Sequence, residues 1–105
     1  MRALVRIQPE ADEQARAIDA WWRANRLDAP ELFVEELGAA FALLSSAPGA
    51  GRRYSARSIP GLRRVMLPGT RHHVYYVYDP ERAEVSVLAI WSAVRGKGPP
   101  LPGRG

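Results

Sequence analysis

The 105-residue sequence predicts an α+β domain in the order β-α-α-β-β-β, with a helical hairpin packed on one face of a small, largely antiparallel four-stranded sheet. Segments with alternating apolar residues stand at the start of the chain and three times in its second half, as in strands. Two segments between them repeat apolar residues at helical spacing. Because each helix has one apolar stripe, both need the same apolar surface, and the opposite sheet face is expected to stay open.

The first half of the chain predicts one strand and two helices. Residues 2–7 alternate apolar and other side chains, as a short strand does. Pro9 fits the first turn of a helix that runs to about Arg26, with acidic residues at its positive dipole end. Asp28 resembles an N-cap, with Glu31 three residues on, and predicts that a second helix begins there. This helix ends before the Ser-Ser-Ala-Pro-Gly stop signal.

The second half predicts three strands after a loop over residues 48–61. Residues 63–67 and 72–78 are rich in β-formers and flank a Pro-Gly turn. Residues 84–91 are apolar on nearly both faces, which favours an interior strand. Reversal of the chain at each short connection predicts that the first and third strands run one way and the second and fourth the other.

Residues 1–94 are expected to form a single domain, and residues 95–105 an irregular, basic tail rich in Gly and Pro. The absence of Cys excludes disulfides, a thiol nucleophile and Cys-ligated metals. Two adjacent His without an HExxH motif predict no metal site, and no cofactor is expected. No apolar run is long enough for a membrane span, and the N-terminus turns acidic before a signal-type core, so we expect a cytoplasmic protein.

The charge distribution favours an anionic partner. Residues 1–50 carry a net charge of −3 and residues 51–105 carry +7, while residues 49–78 hold six Arg and no acid. Such a stretch repels itself unless something anionic offsets it. Codon bias towards Arg would explain the number of arginines equally well, but not their clustering. The candidate residues for binding such a partner are Arg52, Arg53, Arg57, Arg63, Arg64, Arg71, Arg95 and Lys97.

The element order and the stretch RRVMLPGTRHHVYYVYDPERAEVSVLAIWSAVRGKGPPL resemble the RelE/ParE superfamily of type II toxin–antitoxin toxins. The pattern is an Arg on the second strand, here Arg64, then Arg71 before an aromatic strand with central Tyr76. An apolar strand ending in Val87–Trp91 and a following Arg95 complete it. The resemblance implies a cognate antitoxin, acidic and DNA-binding, in a hetero-oligomeric complex with the toxin.

The superfamily contains two activities, and the sequence departs from one of them. RelE-like members cleave mRNA on the ribosome, whereas ParE-like members bind DNA gyrase and block replication without being nucleases. RelE-like nucleases often place a Tyr or His after the last strand, where this chain has Ser92-Ala93-Val94. RNA cleavage needs a base, an acid and charge stabilisation, for which the remaining candidates are His73, Tyr76, Arg71 and Arg64. The sequence therefore favours a ParE-like toxin that acts by binding, over a ribosome-dependent nuclease or an inactive basic binding module.

The same residues also have structural interpretations. In a strand, His72 and His73 point to opposite faces, so that one is packed and one is solvated. The tyrosines, Tyr76 included, commonly serve cross-strand packing. Trp91 is expected to seal the sheet against a helix. The tail either folds over the sheet to cap Trp91 or presents its cations, among them Lys97, to the target.

Overall fold

The computed structural model describes residues 2–56, 58–94 and 96–101, and this part of the chain contains two helices and five strands. None of its helices has the length and apolar character needed to cross a membrane. In chain order the elements are β1 (Leu4–Ile7), α1 (Pro9–Asn25), α2 (Leu32–Ser46), β2 (Arg52–Arg53), β3 (Arg63–Leu67), β4 (His72–Asp79) and β5 (Glu84–Ser92).

The sheet has the strand order β1-β5-β4-β3-β2. The α+β class, the helical hairpin and the interior position of the last strand are confirmed, but the count of four strands is wrong. The predicted direction of the first strand is also wrong, because β1 runs parallel to β5, whereas β3, β4 and β5 alternate in direction as predicted. The cause is β2, a two-residue strand inside the expected loop, which adds one reversal of the chain and lets β3 run in the direction of β1.

The main core lies between the helices and one face of the sheet. Phe33 and Leu44 of α2 are fully buried, and they meet Val74, Val87 and Ile90 of the central strands. Each such side chain stabilises the fold by about 1.5–3 kcal/mol through removal from water. From α1 the core receives small side chains, so that this helix approaches β5 closely, and the Gln14 side chain accepts a hydrogen bond from the Ile90 amide at 2.8 Å.

The second helix begins later than its sequence signal indicates. Asp28 does not cap it, because residues 27–31 form two successive turns that reverse the chain between the helices. The amide of Ala29 bonds to the carbonyl of Arg26 at 3.1 Å, and the amide of Leu32 bonds to that of Ala29 at 3.2 Å. The helix then starts at Leu32 without a side-chain cap.

The face of the sheet away from the helices is partly covered, contrary to the expectation of an open face. A second apolar cluster forms there around Leu62, Tyr75 and Ala89. The segment that connects β2 to β3 and the C-terminal segment pack on this cluster. Two segments that are distant in sequence thus meet on this face of the sheet. The partly buried members are Tyr54, Ala56, Ile59, Val77, Leu88, Trp91 and Leu101.

A carboxylate from α2 fixes the turn between β3 and β4. Glu36 accepts hydrogen bonds from the amides of Gly69 and Thr70, at 2.6 and 3.0 Å, and from the Thr70 hydroxyl at 2.9 Å. Arg71, next in the chain, has a left-handed backbone with φ 64°, and its carbonyl accepts a bond from the Ala93 amide at 2.8 Å. The Glu36 side chain thus ties α2 to the turn, and the backbone of the same turn holds the residue that follows β5.

We expect Glu36→Ala to destabilise the fold by about 2–3 kcal/mol, because three donors lose a charged acceptor. Thermal and urea unfolding would measure the change. Glu13→Ala, at an exposed position of α1, is the control and should shift stability by less than about 0.5 kcal/mol. Equal effects of the two substitutions would contradict the proposed tie.

Candidate functional site

Strand register places the key residues in two adjacent rows on the sheet face away from the helices. Arg52, Arg64 and Tyr75 are directly opposite one another across β2, β3 and β4. Met66 and His73 form the next row, which continues to Trp91 on β5. Directly opposed residues share a face, so these side chains lie side by side.

Arg64 is the centre of this surface. Its Nη1 donates to the Tyr75 hydroxyl at 3.2 Å, and its guanidinium carbon lies 4.7 Å from the centre of the Tyr54 ring. The two tyrosine rings meet edge to face, with centres 5.0 Å apart. A guanidinium held by a ring face and a phenol is preorganised, so little side-chain entropy remains to be lost on binding an anion.

His73 lies beside this group, with its ring centre 5.9 Å from that of Tyr75. Burial, then the Arg64 cation and then His72, lower the pKa of His73. The imidazole is therefore neutral at pH 7 and can accept a proton. Its Nδ1 is buried and has no hydrogen-bond partner among the described residues. His72 instead packs edge to face on Phe33, on the helix side of the sheet, so the two histidines do point to opposite faces as predicted.

Two adjoining clefts of about 440 and 200 Å³ run over this surface and share Arg64 and His73. The C-terminal segment forms one wall, where the carbonyl of Lys97 accepts a bond from the Trp91 indole at 3.2 Å. Trp91 thus meets the tail and the second cluster, where the sequence predicted a helix contact. We call the whole feature the Arg64 groove; its principal lining residues are Arg52, Tyr54, Arg64, Met66, His73, Tyr75, Ser92 and Lys97.

Neighbouring Arg63 has a different role. It is paired with Tyr76, so it points to the helix side, and its Nη1 donates to the carbonyl of Gly51 at 2.7 Å and to that of Gly49 at 3.4 Å. The sequence grouped Arg63 with Arg64 as one cationic pair, whereas the structure separates them. Arg63 holds the loop before β2, and Arg64 lines the groove.

Tyr76, a candidate for nuclease chemistry, lies in the main core. Its buried hydroxyl donates to the carbonyl of Pro48 at 2.6 Å and accepts from the amide of Gly51 at 2.9 Å. Burial is the main cause that raises the pKa of Tyr76. A phenol with both hydrogen-bonding capacities engaged holds the loop in place and is out of reach of the groove.

The remaining predicted residues are spread around the groove. Arg53 is exposed at the outer end of β2, and Arg71 is exposed in the turn between β3 and β4. Arg57 and Arg95 lie outside the described residues. Tyr54 also lines the groove but was not predicted as a site residue. Its position directly after two arginines, in a stretch without acids, is the sequence feature that could have indicated it.

No ion pair within the described part of the chain neutralises the groove cations. The ion pairs found in residues 2–56, 58–94 and 96–101 belong to Arg6, Arg16 and Arg23, all outside the groove. The same residues form no cluster of three or more His, Asp or Glu that could hold a metal ion. The arrangement is suited to binding an anion, with one neutral imidazole beside it.

We expect Arg64→Gln to raise the pKa of His73 towards its ordinary value of 6.5, because one of the depressing charges is removed. Histidine resonances followed by NMR from pH 8 to pH 4 would show it. Since the folded pKa lies below the unfolded one, His73 lowers stability as pH falls from about 6.5 through the folded pKa. A His73 pKa that stays unchanged in the variant would contradict the close approach of Arg64.

Comparison with known proteins finds a family model that matches most of the chain. A family model described as the ParE toxin of the type II toxin–antitoxin system parDE matches residues 5–95. Comparison with curated protein sequences finds no match.

Solved structures share the fold. The RelBE2 toxin–antitoxin complex of Mycobacterium tuberculosis is similar at 20% identity and a TM-score of 0.65, over 88% of this chain and 99% of that one. The chromosomal ParDE system of P. aeruginosa is similar at 16% identity and a TM-score of 0.64, over 86% of this chain and 95% of that one. A mutant of the E. coli RelE toxin in the free state is similar at 17% identity and a TM-score of 0.58, over 90% of this chain and 86% of that one.

Proposed function

Since the chain belongs to the ParE toxin family of type II toxin–antitoxin systems, we propose that it arrests growth by binding DNA gyrase and blocking replication. A cognate antitoxin neutralises it. Both partners are bacterial cytoplasmic proteins, and that is where we expect the chain to act. The toxin works by binding and performs no chemistry of its own.

The observation that carries this proposal is the Arg64 groove, which concentrates cations without carboxylates. Arg64 and Lys97 line it together with Arg52, and no ion pair neutralises them within the described part of the chain. Cations that are not neutralised internally attract and orient an anionic surface. A binding toxin needs this surface and nothing more.

The antitoxin is expected to be an acidic, DNA-binding protein that forms a hetero-oligomer with the toxin. Two of the similar structures are toxin–antitoxin systems, which supports such a partner. An acidic segment of the antitoxin would offset the same charges that face the target, so that the two compete for one surface.

A ribosome-dependent endoribonuclease is the second candidate, and His73 is the observation that favours it. A neutral imidazole beside the Arg64 cation could take a proton from a ribose hydroxyl while the guanidinium stabilises the developing charge. Against it, the described residues after β5 supply no imidazole or phenol as the acid. Tyr75 and Tyr76 are both buried, and the Tyr76 hydroxyl already donates to the carbonyl of Pro48.

Pulse-labelling of DNA and protein synthesis in the minutes after induction of this chain alone tests the proposal. We expect DNA labelling to fall first while protein labelling persists. An early collapse of protein labelling would favour the nuclease. With purified components, inhibition of gyrase supercoiling by the wild-type chain and by His73→Gln should be similar, whereas a nuclease would lose its cleavage activity in that variant.

A further inference from the structure

We propose that the Arg64 groove and the adjoining β2 strand bind the phosphate backbone of duplex DNA, so that the toxin contacts the DNA on which gyrase acts. This inference deepens the function proposed above and rests on it. The partner is defined by its chemistry: a polyanion with regularly spaced phosphates and bases that are already stacked.

The arginines of β2 stand opposite those of β3, so that like charges are paired across the two strands. Arg52 stands directly opposite Arg64, and Arg53 stands opposite Arg63. Like charges in such positions are destabilising. Arg63 is partly compensated by loop carbonyls and Arg64 by aromatic groups, but Arg52 and Arg53 are exposed and have no ion pair within the described residues. Arg52 points to the groove face and Arg53 to the helix side, but β2 is an edge strand, so a polyanion laid along this edge can reach both and would relieve the repulsion.

The aromatic rings of the groove favour a duplex over a single strand as the ligand. Proteins that bind single strands offer exposed aromatic faces on which unpaired bases stack. Here Tyr75 is only 2% exposed, and one face of the Tyr54 ring is covered by the Arg64 guanidinium while the ring meets Tyr75 edge to face. The aromatic rings of the groove are thus engaged within the protein. Cations without a stacking platform fit a backbone whose bases remain paired.

The distribution of acidic residues determines which side of the molecule faces a polyanion. The acidic residues of the chain lie in the helical hairpin and around the turn between β4 and β5, and the acid-free stretch 49–78 supplies β2, β3 and most of β4. The molecule therefore approaches a polyanion with its β2 side. The described groove lining contains no Asn or Gln, so it lacks the amide contacts that read adenine. In the proposed complex its cations contact phosphates, which carry no sequence information, so binding should depend little on base sequence.

Fluorescence anisotropy with the full chain tests the proposal. The probes are a labelled 20-base-pair DNA duplex, one of its strands alone and the matching RNA strand. We expect the duplex to bind more tightly than either single strand, with affinity falling steeply as salt rises because counterions are released. Arg52→Gln/Arg53→Gln should weaken duplex binding about tenfold or more and reduce the salt slope by about two, one for each lost phosphate contact.

Arg16→Gln is the matched control, because Arg16 is exposed on α1 and bonded only to Asp12. It should leave duplex affinity unchanged. Tighter binding of either single strand, or equal losses in the control and the double variant, overturns the inference. Tighter binding of the RNA strand would also favour the nuclease.

The same preparations separate this inference from the proposed function. Gyrase inhibition without measurable duplex binding leaves the function standing and overturns the DNA contact. Duplex binding without gyrase inhibition overturns the proposed target instead. A wild-type chain that binds the duplex and inhibits gyrase, with both effects weakened in the double variant, supports both.

Discussion

Arg64→Glu should abolish growth arrest and weaken gyrase inhibition by about 100-fold or more, because a reversed charge opposes the anionic partner at the centre of the surface. Stability should change little, since a glutamate at this position would face Arg52 across the strands and replace a like-charge pair with an opposite one. Colony counts after induction, gyrase supercoiling assays and thermal unfolding measure the three effects.

Arg64→Lys is the informative companion. It keeps the charge but loses the planar fork that donates to Tyr75 and stacks on Tyr54, so we expect intermediate activity. Full toxicity of Arg64→Glu would remove the Arg64 groove from the target surface. Loss of folding in that variant, checked by circular dichroism, would contradict the stability argument.

Gly51→Ala should destabilise the fold by about 3 kcal/mol, a large share of the stability of a small domain. A β-carbon at this position would lie 2.7 Å from the Tyr76 hydroxyl and 2.8 Å from the carbonyl oxygen of Arg64. The second atom belongs to the backbone of β3 and cannot move away without shifting the strand. Urea unfolding measures the loss.

Gly49→Ala is the matched control in the same loop. A β-carbon there meets nothing within 4 Å, so stability should change by less than about 0.5 kcal/mol. We further expect Gly51→Ala to weaken target binding, because the loop that it displaces leads directly into β2. Identical unfolding curves for the two variants would contradict the packing of Tyr76 against the loop.

The elements that were predictable are those in which local pattern and tertiary packing agree. Alternation marks β1, and helical spacing marks α1, to within a residue or two. The last strand was placed in the interior because both of its faces are apolar, and it does lie between β1 and β4.

β2 could not be found in this way. It consists of Arg52 and Arg53, which have no strand pattern. Its position is set by Tyr76 and Arg63, which bind the preceding loop and are distant from it in sequence. Because that information is tertiary, the missed strand also led to the wrong direction for β1 relative to the other strands.

The candidate site was predictable in part, and β4 shows why. Residues 72–78 are apolar or aromatic on both faces, so periodicity cannot say which face meets the helices. The structure supplies the reason: both faces are covered, one by the helical hairpin and one by the second cluster. Arg64 and His73 therefore could be nominated from residue type, but the exclusion of Tyr76 required its buried hydrogen bonds.

The pairing of β1 with β5 determines when the sheet can form during synthesis of the chain. The first strand of the chain finds its partner in the last one, with Leu4 opposite Glu84 and Ile7 opposite Val87. During synthesis the helical hairpin can form early from local contacts, but the sheet lacks the strand that joins β1 to β4 until β5 has been made. The row of side chains that runs from Met66 through His73 to Trp91 is completed only when β5 pairs with β4, so we expect a chain that ends before β5 to lack the proposed binding surface.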